Sequence, residues 1–166
     1  MEREFSAGGA VVRCCDGRWW LAVIEPQSSG DRAGRRLKPR IALPKGLRDN
    51  GERPEQTALR EVREETGVEA NLVTKLSDIR YSYLRAWSDG QRVFKVVTFY
   101  LLLYRSGELG NISEEMRVEV RRAEWMLLEE AVQRLTHRGE RDVARAALAY
   151  LTAHPELAES MQRSAS

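Results

Sequence analysis

Cysteine is nearly absent: the 166-residue chain holds two, Cys14 and Cys15, side by side. Neighbouring cysteines do not bridge readily, because a disulfide needs Cα atoms that converge across space. Without a second pair there is neither a disulfide framework nor a cysteine metal knuckle. We read both as reduced strand residues, one of them facing the core. Histidine is as scarce, and His137 and His154 form no ligand constellation. Long apolar runs are missing too. Phe99 to Leu103 and Met126 to Leu128 fall far short of the ~20 residues that span a bilayer. The opening Met1-Glu2-Arg3-Glu4 has no apolar signal region, so a cytoplasmic protein without membrane contact is expected. Charge of one sign is also lacking: the net +2 gives no electrostatic footprint for DNA binding.

What is there fits one domain. A chain of this length, 42% hydrophobic and 31% charged, supports a single core better than two. We expect residues 1–155 to form it and 156–166 to be a flexible tail. The charge is unevenly spread. Arg32, Arg35, Arg36, Lys38, Arg40, Lys45 and Arg48 make a basic stretch, and acid concentrates from Asp49 to Glu69. A basic rim beside an acidic cluster suits a polyphosphate held with divalent cations; a solvated loop beside a solvated helix accounts for the same pattern.

The chain opens with strand patterns at Ser6 to Arg13 and Trp19 to Ile24, joined by the turn signal Asp16-Gly17. Gly8-Gly9 marks a bulge or a close backbone approach. Residues 26–40 have no apolar period and read as a long loop. Pro54 to Thr66 reads as a helix: Pro sits in the first turn, Ala58, Leu59 and Val62 keep helical spacing, and Gly67 is the stop. Strands are expected at 71–83, 92–104 and 118–126, then helices at 128–135 and 140–153, the last with Val143, Ala147 and Leu151 on one face. This order predicts an α/β protein, a mixed sheet with helices packed against it.

The helix at 54–66 carries the chemistry. Glu61, Glu64 and Glu65 stand at i, i+3 and i+4, so three carboxylates share a face. Such crowding destabilises a helix unless positive charge sits among them. Arg60 supplies part, and a hard divalent cation would supply the rest. The alternative is a solvated acidic face paired with Arg60 and Arg63.

Upstream residues weigh in for the cation. Gly46, Glu52, Arg60, Glu61, Val62, Glu64, Glu65, Gly67 and Val68 match the Nudix box, G-x5-E-x7-R-E-U-x-E-E-x-G-U with U apolar, at every defined position. At average residue frequencies such a match arises by chance roughly once in 10⁹ windows. Ser6 to Val12, Leu43-Pro44-Lys45-Gly46, and Glu119 with Trp125 and Glu129-Glu130-Ala131 also resemble Nudix proteins. The resemblance covers about residues 5 to 150. Two departures are Ile41, where many relatives carry tryptophan, and the long basic loop before it.

The resemblance implies an α/β/α sandwich with a curved mixed sheet, the box helix on one side and the C-terminal helices packed against the sheet. It implies a Mg²⁺- or Mn²⁺-dependent hydrolase that splits a phosphoanhydride in a nucleoside diphosphate-linked compound by water attack on phosphorus. Carried over by position, Glu61 and Glu65 are metal ligands, Glu64 is ligand or general base, and Glu52 and the Gly46 carbonyl join the metal site. Arg60 orients the carboxylates. A further glutamate late in the chain is expected, Glu119 first and Glu115 second. Within the family, AGGAVV, LPKG, Tyr81 and the run from Lys95 to Tyr100 look most like the diadenosine polyphosphate and diphosphoinositol polyphosphate branch. Lys45, Arg40 and Lys95 would then meet phosphates, and Tyr81 or Tyr83 would stack on a base. Other Nudix substrates (oxidised dNTPs, ADP-ribose, capped RNA) and a nucleotide-binding module without turnover stay open.

Overall fold

In the computed structural model we describe residues 2–27, 38–86 and 88–164, the last three by backbone only. The basic positions Arg32, Arg35 and Arg36 fall outside these residues. Strand β1 (Glu2–Cys15) is the spine of a six-stranded sheet with β2 (Arg18–Pro26), β3 (Lys45–Leu47), β4 (Glu69–Leu84), β5 (Arg92–Ser106) and β6 (Val120–Leu127). The order is β4-β5-β1-β2-β6, with β3 added beside β1. β1 and β5 run parallel over residues 2–12 of β1, and every other pairing is antiparallel. On the side of β1 away from β5, β3 pairs with Ser6–Gly8 and β2 with Val12–Cys15.

Side-chain alternation in the strands sorts the core into two layers. Ala7 and Val11 of β1 with Tyr100 and Leu102 of β5 pack under helix α1 (Pro54–Thr66), against Ala58 and Val62. The intervening Ala10 and Val12, with Val97, Phe99 and Leu101, face the opposite way. There they meet α2 (Leu128–Arg134) and α3 (Arg138–Ala153) through Leu128, Val132, Val143 and Ala147. Complete burial of a side chain such as Val62 or Phe99 contributes roughly 1.5–3 kcal/mol each.

Gly8 and Gly9 are a close backbone approach, not a bulge. A Cβ on Gly8 would collide with the Pro44 carbonyl and come within 2.7 Å of the Lys45 Cβ; one on Gly9 would press into Leu102 and Val62. The glycines thus let the Pro44–Lys45 segment lie on β1, where Gly9 N donates to the Pro44 carbonyl at 3.2 Å.

The helix expected at 54–66 forms over those residues. Gly67 ends it in the left-handed region, φ 87°, with its N–H donating to the Arg63 carbonyl. After Pro155, Glu156–Ser164 forms helix α4, and Leu157 packs on the core layer under α3. Of the two cysteines, Cys14 is half-buried on the strand face of Ala10 and Val12, and Cys15 is exposed at the end of β1. The strand expected from Val118 begins at Val120, because Met116–Val118 is taken up in a single 3-10 turn.

Candidate active site

Helix α1 presents its acidic residues to β3, but not all to solvent. Glu61 and Glu65 are 9% and 7% exposed and share the buried side with Ala58 and Val62. Glu64 stands at the rim, its side chain 37% exposed. The sequence pattern groups all three toward a cleft; packing separates them into two covered carboxylates and one accessible one. β3 does the covering. Lys45 N donates to Glu65 Oε1 at 2.7 Å, and a Cβ added to Gly46 would fall on the Glu61 carboxylate. Glycine is required here by close approach rather than by backbone angle.

Arg60 binds the cluster together. Its guanidinium donates to Glu52 twice (2.7 and 3.0 Å), to Glu61 (2.8 Å), to Glu64 (3.2 Å) and to the Leu47 carbonyl (3.0 Å). A planar fork with five donors can do this where an ammonium cannot. Glu52 also accepts from Asp49 N and the Thr57 hydroxyl. The Arg60 hydrogen bonds hold its carboxyl down at about 2, well below the usual range. Burial acts the other way on the covered pair, raising Glu61 and lifting Glu65 to about 8. Glu119 adds to both shifts through its charge, so it lies near them. Among the described residues no three acidic, histidine or cysteine side chains close around a point that would hold a metal ion as they stand. The donor set is nonetheless carboxylate and carbonyl oxygen, the chemistry that Mg²⁺ and Mn²⁺ favour.

Two cavities flank this cluster, and Lys45 lines both. One, of about 460 Å³, brings together Arg40, Lys45, Glu65 and Glu119. Glu119 is held there because Gln27 N donates to its carbonyl and Gln27 Nε2 to that of Arg117. The other, of about 320 Å³, has an apolar wall of Ile79, Val97 and Phe99, with Tyr81 and His137 at its edge. Lys95 shares the sheet face of Tyr81 and Val97 by register, and burial pushes its pKa down. Two expected residues are not brought in. Tyr83 hydrogen-bonds Glu4, which also pairs with Arg85, and Glu115 lines neither cavity beside the 3-10 turn.

One residue escaped the sequence reading. Glu140 of α3 is 3% exposed; its Oε1 accepts from Leu43 N at 2.6 Å and its Oε2 pairs with Lys45 Nζ at 2.9 Å. The signal was present: Glu140 stands three, four and seven residues before Val143, Ala144 and Ala147, a carboxylate on the core-facing stripe of its helix.

Residues 7–148 match the NUDIX domain family, a span that includes the whole box and both layers around it. The chain belongs to the Nudix family. Over 144 residues this Nudix chain is 39% identical to "Putative mutator protein MutT4" of Mycobacterium tuberculosis (strain CDC 1551 / Oshkosh), a match covering 87% of the chain but 54% of that protein. The chain thus spans about half the length of that relative. Its fold resembles an Ap4A hydrolase binary complex from C. elegans (TM-score 0.69, 19% identity, 90% of this chain and 98% of that one). It also resembles the NUDIX domain of Shewanella oneidensis NrtR complexed with ADP ribose (TM-score 0.66, 18% identity, 91% and 90%). A third is a MutT NUDIX hydrolase from Burkholderia pseudomallei (TM-score 0.63, 24% identity, 88% and 98%). At these identities the likenesses establish the fold. Nudix hydrolases as a class need divalent metal ions. Among the described residues no helix is long and apolar enough to cross a membrane.

Proposed function

We propose that this chain hydrolyses a phosphoanhydride bond of a nucleoside diphosphate-linked compound with Mg²⁺ or Mn²⁺. The observation that carries the reading is the pair Glu61 and Glu65, two carboxylates covered by β3 on a helix that already places Glu64 and Arg60 beside them. Covering like charges together is costly without a cation. Glu52, Glu61, Glu65 and the Gly46 carbonyl would hold the metal, with Glu64 and Glu119 at its edge. When bound, the cation neutralises phosphate oxygens and lowers the pKa of water.

The chain's own residues do the rest. Glu64, the accessible carboxylate, takes the proton of the attacking water. Arg60 fixes Glu52, Glu61 and Glu64 relative to each other. Lys45 and Arg40 offset phosphate charge in the larger cavity, and Tyr81 with the apolar wall accepts a base. Lys95 adds charge on the same face. Two cavities joined at one lysine suit a substrate with a polyphosphate bridge and a ring at its end, so our preferred substrate is a dinucleoside polyphosphate such as Ap4A, met in the cytoplasm.

The test is a panel of dinucleoside polyphosphates, dNTPs, oxidised dGTP, ADP-ribose and capped RNA, with Mg²⁺ or Mn²⁺ and products weighed by mass spectrometry. Glu64→Gln should lower turnover by about 10²–10⁴ with the fold intact. Nucleotide binding without metal-dependent turnover anywhere in the panel would make the chain a binding module and end the hydrolase reading.

A further inference from the structure

The Nudix box does not account for Glu140. It comes from α3, on the layer opposite α1, yet its carboxylate reaches the lysine that both cavities share. One oxygen is committed to the Leu43 backbone and the other to the Lys45 ammonium. Lys45 is therefore fixed at two points: its backbone N–H by Glu65 and its side-chain end by Glu140. We infer that Glu140 is a positioning residue that holds the Lys45 ammonium in place to receive a polyphosphate.

A free lysine must surrender the rotamer freedom of four carbons when its ammonium meets a phosphate. Glu140 has already imposed that order, and it uses one of the three ammonium donors, leaving two for a ligand. The lysine side chain is 28% exposed while the Glu140 side chain is 4% exposed, so the ligand side is open and the holding side is closed. Around the contact, Gly139 permits the approach of α3 to the sheet: a Cβ there would come within 2.8 Å of Ile79 Cδ1.

This inference rests on the hydrolase reading for the identity of the ligand, so the experiment uses binding rather than turnover. The affinity of inorganic tripolyphosphate with Mg²⁺ is measured by titration calorimetry in wild type, Glu140→Gln, Lys45→Met and the double variant. Gln keeps the size and can still accept from Leu43 N, but an amide cannot hold an ammonium by charge. Glu140→Gln should weaken binding by about tenfold, on the order of the rotamer order a lysine loses when freed. In the Lys45→Met background the same change should have no further effect. Equal weakening in both backgrounds, or none in either, overturns the inference and leaves the hydrolase reading standing. Failure of every panel substrate to turn over, with the Glu140–Lys45 coupling intact, sinks the hydrolase reading and supports the positioning role. Melting temperatures of all four proteins identify any variant that fails to fold, and Glu140→Asp, which keeps the charge on a shorter arm, then serves as the second probe. It should bind more tightly than Glu140→Gln, and equal or weaker binding by Glu140→Asp overturns the role.

Discussion

Replacing Arg60 by Met removes the one cation that, among the described residues, faces Glu52, Glu61 and Glu64 together. Five donor contacts are lost, four of them to carboxylates. A hydrogen bond to a charged group is worth about 1.5–3 kcal/mol in net terms. The sum is far smaller than five such values, because the contacts share one side chain and the Arg60 and Glu52 side chains are each 19% exposed. Mutual repulsion among the abandoned carboxylates works in the same direction. We expect Arg60→Met to destabilise the fold by about 3 kcal/mol, equivalent to a fall of roughly 6–12 °C in Tm for a domain of this size. Urea unfolding at neutral pH measures the loss. A double-mutant cycle with Glu52→Gln should return a coupling of about 1.5–2 kcal/mol, since Glu52 takes two of the five contacts, the shortest of them included. Arg60→Met within about 0.5 kcal/mol of wild type, or a coupling near zero, would refute the claim that this guanidinium offsets the crowding.

Other expectations are simpler. Gly46→Ala places a methyl on the Glu61 carboxylate and should cost about 1–3 kcal/mol, read by thermal melting, with metal affinity falling in parallel by calorimetry. Asp78 accepts from the Thr98 hydroxyl (2.7 Å), Lys75 (3.1 Å) and Arg80 (3.2 Å), and these partners hold its carboxyl below the ordinary 3.8. Its contribution to stability is full above that value and is lost as pH falls through the lower folded one. Asp78→Asn should therefore flatten the stability curve below about pH 4, and urea midpoints that keep the wild-type acid slope would count against it. Leu157→Ala tests whether α4 is docked: truncating a half-buried leucine should cost about 1 kcal/mol, and an unchanged melting temperature would mean that the helix contributes nothing to the core.

The local elements were legible because their causes are local. Pro54, the spacing of Ala58 and Val62, and Gly67 determine α1 within a few residues of each other. The two-residue alternation of β1 and β5 likewise allocates side chains to two layers before any partner is known. α4 was missed because its nine residues are held by the contact of Leu157 with a distant layer, and nothing nearby in sequence announces that contact.

The site divides along the same line. Spacing alone put Glu61, Glu64 and Glu65 on one face of a helix and set Arg60 within reach, because helical geometry is a property of the segment. Only the folded chain decided which carboxylates are covered, since that depends on β3 crossing from residues far upstream. It likewise decided that Tyr81 lines a cavity while Tyr83 turns to Glu4, and that Glu140, 95 residues after Lys45, closes on its ammonium. A sequence carries the period of an element; the partners that bury, pair or charge it come from elsewhere in the chain and are fixed by packing.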